Sequence, residues 1–237
     1  MADARPVRVG LLAPMPSEMK PLAKALALQP DGAKDVFRGS IRGTELVATK
    51  TGIGTQRATD AAERLLDLAD AEHVPIQHVI VCGIAGGMGP SKVCDVLFPE
   101  VVVDKVTRTE YRSQPLGGIV PDGKLVTHDD FDLGPDETNA LIADGFIAVD
   151  METSAIAAVC EKRGVSWSAV RAISDLVGVT PGDVIDLANA DGTPNAGASV
   201  KYLVTKPWRI PRLLRIGYDS VKAANAAAAG AARSLRG

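Results

Sequence analysis

Short apolar runs alternate along this chain with amphipathic stretches of helical length, a pattern that points to a layered α/β architecture. Val7–Ala13 predicts a first strand, and Ser17 to about Leu28 a helix with Ser17 as its N-cap. Leu46–Thr49 predicts another strand, after which Gly52-Ile53-Gly54 turns the chain into a helix from about Thr55 to Leu68. His78–Cys82 is a nearly continuous apolar run, as expected of a strand covered on both faces, and it ends in Gly83-Ile84-Ala85-Gly86-Gly87. Val96–Phe98 and Val101–Val103 continue the sheet, whereas 107–124 reads as a loop or hairpin. Phe146–Val149 is a strand entering a helix at about Met151–Lys162, and Trp167–Ile173 is the last clear strand, ending at Ser174-Asp175. Residues 178–197 read as loop, and about Arg209 to Leu235 as helix, with Ala223–Ala232 a strong helix former.

The chain has 237 residues and a net charge of −3, but the charge is unevenly spread. Residues 201–237 carry eight basic residues and one acidic, a net +7, which leaves −10 on the first 200. The expected organisation is therefore an α/β domain over 1–200 and a basic helical extension over 201–237, packed on or beside it. An acidic body with 4% aromatics argues against a nucleic-acid partner. Trp208, Ile210, Leu213, Leu214 and Ile216 with Arg209, Arg212 and Arg215 form a basic amphipathic patch. It reads either as weak peripheral contact with an anionic membrane surface or as a packed C-terminal helix with solvated arginines. Cys82, Cys94 and Cys160 are odd in number and unclustered, which argues against a disulfide framework and for a reducing cytoplasm. No zinc-like spacing is present, so neither metal nor cofactor is expected. No apolar run approaches the ~20 residues of a membrane span, and the N-terminus lacks a signal-peptide core.

Four segments share one position, the carboxyl end of a strand before a helix or turn: Met15–Glu18, Gly83–Gly87, Asp150–Thr153 and Arg171–Asp175. In a mostly parallel sheet such ends line one crevice, where ligands bind. Glu18 and Glu152 each read either as a helix-start charge or as a site carboxylate. Glu152 could accept two hydrogen bonds from a vicinal diol such as a ribose. Asp175 reads either as a turn aspartate or as a half-buried carboxyl able to hand a proton to a leaving-group nitrogen. Arg171 in an apolar strand needs a partner, either a glutamate or an anionic ligand. Neither glycine segment matches GxGxxG or GxxxxGK[ST], which disfavours a dinucleotide-dependent oxidoreductase; tight strand-to-helix turns are the plain alternative.

Together these segments resemble the nucleoside phosphorylase/nucleosidase superfamily, most closely its hydrolytic branch typified by methylthioadenosine/S-adenosylhomocysteine nucleosidase. Val9–Glu18 is similar to that branch's opening strand, Thr51–Gly54 to its SGIG turn and Val81–Gly87 to its TGSAGG loop. Val126–Phe131 resembles SGDAF, Val149–Glu152 resembles VEME, and Val170–Asp175 is identical to VRAISD. The tail is similar to hopanoid-associated nucleosidase-like members. The resemblance implies a mixed, partly barrel-like sheet flanked by helices, a homo-oligomer, and cleavage of a purine nucleoside N-glycosidic bond. Glu18, helped by Arg171, would activate water, while Asp175, oriented by Ser174, would protonate the base. Glu152 would hold the ribose hydroxyls, Met151 would pack on the sugar and Phe131 would stack on the base, with Met15, Gly86 and Ile84 lining the pocket. Ile84 stands where that branch has a serine, and Asp132 where an apolar residue is usual. A phosphate-dependent phosphorylase, with Arg57 as the candidate cation, and a non-catalytic nucleoside-binding protein are the other readings.

Overall fold

A computed structural model describes residues 7–32, 35–130, 133–178, 187, 189, 191, 193 and 195–237, by backbone alone at 198–200, 203 and 207. In chain order the elements are β1 (Arg8–Ala13), α1 (Pro16–Ala25), β2 (Gln29–Pro30), β3 (Val36–Ile41), β4 (Thr44–Lys50), α2 (Thr55–Ala71) and β5 (His78–Gly87). They continue with β6 (Val96–Leu97), β7 (Val101–Asp104), β8 (Glu110–Arg112), β9 (Lys124–Thr127), α3 (Pro135–Ala143) and β10 (Phe146–Asp150). The last are α4 (Thr153–Arg163), β11 (Ser166–Leu176), α5 (Ala196–Thr205), a single 3₁₀ turn at Pro207–Arg209 and α6 (Ile210–Arg236).

Among the described residues, eleven strands form one mixed sheet, and it forks at β5. One edge of β5 pairs with β11 in parallel along its whole length, from His78↔Ser166 to Gly87↔Leu176. The other edge changes neighbour. Parallel β1 covers His78–Val81, and antiparallel β10 meets only Gly86 and Gly87. Residues 82–85 therefore run past a gap between the ends of two strands.

Helices cover both faces. On one side α2 and α4 bury Ala58, Ala61, Ala62, Leu65, Ile156 and Ala157 against the sheet. On the other, α1 and the second half of α6 bury Met19, Leu22, Ala223, Ala227, Ala228 and Ala231. The alanines let α6 lie close to the sheet, and at Gly230 a Cβ would sit 2.8 Å from a Val170 methyl carbon and 3.0 Å from one of Val96. Gly164, at φ +68°, closes α4 in the left-handed conformation that ends many helices.

Several sequence expectations shift. The N-cap of α1 is Met15, not Ser17, because Pro16 starts the helix and the Glu18 side chain turns back to the Met15 amide; the helix ends at Ala25 rather than near Leu28. Gly83–Gly87 is not a turn but the last half of β5, since β11 continues to pair with it. α4 begins at Thr153, which leaves Glu152 as its N-cap. β11 runs on to Leu176 through an irregularity, with Ile173 opposite Ala85 and Asp175 opposite Gly86, so Ser174 is an extra residue on that strand. The expected hairpin in 107–124 is present in part, as β7 pairs with β8. The expected loop over 178–197 lies largely outside the described residues. The strands β3 and β9 and the helix α3 have no counterpart in the sequence reading.

Candidate active site

The gap on β5 leaves the backbone of Ile84 without a strand partner on that edge, and two side chains take its place. Its N–H donates to Glu18 Oε1 at 2.8 Å, and its carbonyl accepts from Arg171 Nη1 at 3.4 Å. Glu18 Oε2 accepts the Met15 N–H at 2.7 Å, so two backbone amides pin the carboxyl at the start of α1. Gly83 makes this possible, because a Cβ there would collide with both Glu18 and the Arg171 guanidinium. Burial raises the Glu18 carboxyl to about 7 against the pull of Arg171, so it changes charge near neutral pH.

Arg171 is fully buried and needs compensation. The compensation comes from the junction between β10 and α4. Its Nη2 lies 2.5 Å from Asp150 Oδ2 and 3.4 Å from Glu152 Oε2, and it donates to Thr153 Oγ1 at 2.9 Å. Although burial works against the charge, Asp150 and then Glu152 and Glu18 hold the guanidinium above its ordinary value. Thus Arg171 pairs with Asp150 and with Glu152, the glutamate partner its sequence position called for, and acts on Glu18 through its field and through the Ile84 carbonyl.

Glu152 keeps room for a ligand. Its Oε1 accepts the Gly54 N–H at 3.1 Å and its Oε2 has only the long contact with Arg171. Burial pushes its carboxyl up from the ordinary range. Gly54 stands at φ +99° as the N-cap of α2, so the Gly52-Ile53-Gly54 segment is both a turn and an anchor for Glu152. Ser174, the extra residue in β11, donates from Oγ to Asp175 Oδ1 at 2.6 Å.

A cavity of about 250 Å³ opens among these ends. Met15, Glu18, Ile84, Gly86, Met151, Glu152, Ser174 and Asp175 line it, and Arg171 lies buried behind it. Phe131 lies outside the described residues, as does Asp132. Arg57 is exposed on α2 and is not among the lining residues. Asp150, which the sequence reading placed at the crevice within Asp150–Thr153 without a role of its own, also lines the cavity, as do Ile53, His128, Ile216 and Ser220, which were not named as site residues. Asp150 carries a local signal, since it precedes Glu152 by two at a strand end; Ile216 and Ser220 carry none, because only tertiary packing brings α6 there.

The model of the phosphorylase superfamily matches residues 8–139 and 119–205. The chain belongs to the phosphorylase superfamily. Solved structures share the fold of this superfamily member over nearly its whole length. A 5′-methylthioadenosine/S-adenosylhomocysteine nucleosidase from Neisseria meningitidis, in complex with methylthio-immucillin-A, has a TM-score of 0.68 at 19% identity, covering 97% of this chain and 99% of that one. A nucleosidase of the same name from S. pneumoniae, with the inhibitor MT-ImmA, has 0.67 at 19%, covering 97% and 98%. Futalosine hydrolase of Helicobacter pylori has 0.66 at 17%, covering 97% of each chain. The forked mixed sheet with helices on both faces is thus the nucleoside phosphorylase/nucleosidase fold.

Proposed function

We propose that this protein is an N-glycosidase that hydrolyses a purine nucleoside, with a substituted ribose 5′ position as the open feature of its substrate. One observation carries the reading: Glu18, Glu152 and Asp175 line a single cavity, with carboxyls available for the water, sugar and base ends of a nucleoside. Glu18, with a proton affinity near neutrality, activates the water. Asp175, oriented by the Ser174 hydroxyl, protonates or hydrogen-bonds the departing purine. Glu152 accepts the ribose hydroxyls while Met151 packs on the sugar and Met15, Ile84 and Gly86 shape the walls. Charge developing between an oxocarbenium-like sugar and a purine is met by groups already fixed by backbone amides and by the Arg171 network.

Water is favoured over phosphate as the nucleophile. A phosphate dianion needs cations and free N–H groups. Here Arg171 is engaged by two carboxylates, and Arg57 is exposed away from the cavity. Incubation with a panel of purine nucleosides, assayed for free base with and without phosphate, tests this. Release of base without phosphate is expected; strict phosphate dependence supports the phosphorylase, and tight binding with no cleavage supports a nucleoside-binding protein.

The protein is further proposed to be a cytoplasmic homo-oligomer that touches anionic membranes weakly through its basic C-terminal segment. Among the described residues no helix is long and apolar enough to cross a membrane. Trp208, Leu214 and Tyr218 are 72%, 70% and 64% exposed beside Arg212, Arg215 and Lys222, the arrangement of a surface-lying amphipathic helix. Co-sedimentation with anionic vesicles, lost in Trp208→Ala/Leu214→Ala, tests the contact, and light scattering tests the assembly.

A further inference from the structure

The buried carboxylate of Asp150 differs from its neighbours in having no capacity left for a ligand. Its Oδ1 accepts from Thr127 Oγ1 at 2.6 Å and lies 3.4 Å from the Thr153 N–H. Its Oδ2 accepts from the Thr153 hydroxyl and pairs with Arg171 Nη2 at 2.5 Å. The donors are themselves fixed: Thr127 Oγ1 accepts the Ser154 N–H at 3.0 Å, and Thr153 Oγ1 accepts from Arg171 Nε at 3.2 Å. Such saturation suits a group that holds another residue, not one that holds substrate.

What it holds is the one guanidinium at the gap in β5. We propose that Asp150 is a positioning residue: it engages Arg171 at the far end of the guanidinium, so that the cation supports Glu152 and the Ile84 carbonyl without forming a tight pair with Glu18. The inference rests on the role proposed for Glu18 in activating water. A carboxylate tightly paired with an arginine is a poor base, because the pair favours the charged form. The groups facing Glu18 are Arg171 from β11, Asp150 and Glu152 from the β10–α4 junction and Cys82 from β5. Burial pushes the Cys82 thiol up to about 12, so it stays neutral, and the balance lies between one cation and the carboxyls around it. Removing Asp150 takes away a negative charge and frees Arg171 at the same time. Both changes draw the proton off Glu18 more readily.

The test is a ¹³C NMR titration of ligand-free protein labelled at glutamate Cδ, with the Glu18 signal assigned by its absence in Glu18→Gln. In Asp150→Asn the Glu18 midpoint is expected to fall by about one pH unit or more, the scale of a nearby opposite charge. The acid limb of the kcat profile is expected to move with it, and a folded variant whose midpoint coincides with the wild type overturns the proposal. If circular dichroism shows Asp150→Asn unfolded, Asp150→Ser decides: it removes the same charge and releases Arg171 with a smaller side chain, and the midpoint must fall or the proposal fails. The two readings fail separately. A shifted midpoint in a protein that cleaves no nucleoside sinks the proposed function and leaves the charge arrangement standing, whereas cleavage with an unmoved midpoint sinks the positioning role alone.

Discussion

Position 18 combines two requirements that oppose each other elsewhere in a protein: a carboxyl must be buried, and it must still be able to lose its proton near neutrality. Two backbone amides and an arginine that lies close by without pairing with it achieve this, leaving the group at about 7. The sign of the pH dependence follows. A base acts deprotonated, so kcat/KM is expected to fall about tenfold per unit as pH drops below about 7. Glu18→Gln, which cannot take a proton, is expected to lower kcat about 10²–10⁴-fold with KM little changed, measured by base release. Gly83→Ala places a methyl group between Glu18 and Arg171 and is expected to abolish turnover while nucleoside binding persists, as calorimetry would register. The positions of Glu18, Glu152, Ser174 and Asp175 were legible in the sequence because each lies near or just beyond the carboxyl end of a strand. The partner of Arg171 was not, since a sequence shows that a buried arginine needs an anion but not which of three nearby carboxylates it reaches.

The elements show a similar division. Strands with long apolar runs, such as β5 and β11, declare themselves, whereas β3 is half-buried and mixed in character and gives no alternating signal. The continuation of β5 through its glycines was illegible for a physical reason: glycines weaken a strand locally, and only pairing with β11 keeps these extended. α6 was read as a helix from its alanines, but their consequence is tertiary. They bring the helix close enough to the sheet that Ile216 and Ser220, about two turns and one turn before the packed half, reach the cavity. Gly230→Val should therefore act twice. The added bulk against Val170 and Val96 is expected to cost about 1–3 kcal/mol in chemical denaturation. It should also raise KM by tilting the cavity wall, and an unchanged KM at lowered stability would separate α6 from substrate binding.

For the whole molecule, one charge relevant to stability lies at the start of β5, at the opposite end of that strand from Gly86 at the cavity. His78 is buried beside the Ser168 hydroxyl, and burial lowers it to about 4. The unfolded chain takes up this proton near pH 6.5 while the folded one resists, so its contribution is complete above about 6.5 and is lost as pH falls towards 4. The loss amounts to about 3 kcal/mol at most. Glu18 and Glu152, raised in the folded state, slope the opposite way as pH rises above the ordinary carboxylate range. The difference between wild type and His78→Gln in urea midpoints at pH 7.5 and 5 isolates the histidine, and equal differences at both pH values would contradict it.

The interval of β5 between its two successive neighbours has one more implication. An uninterrupted ladder would consume the Ile84 amide and carbonyl in ordinary pairing; the chemistry proposed for Glu18 depends on strands that stop short. Lengthening β1 by two residues, or sliding β10 towards the start of β5, would zip the opening shut and yield a sturdier but inert protein. On the proposed function, an imperfection in the scaffold is what keeps the site open, and variants recovered for heat resistance alone should include some that have quietly repaired it.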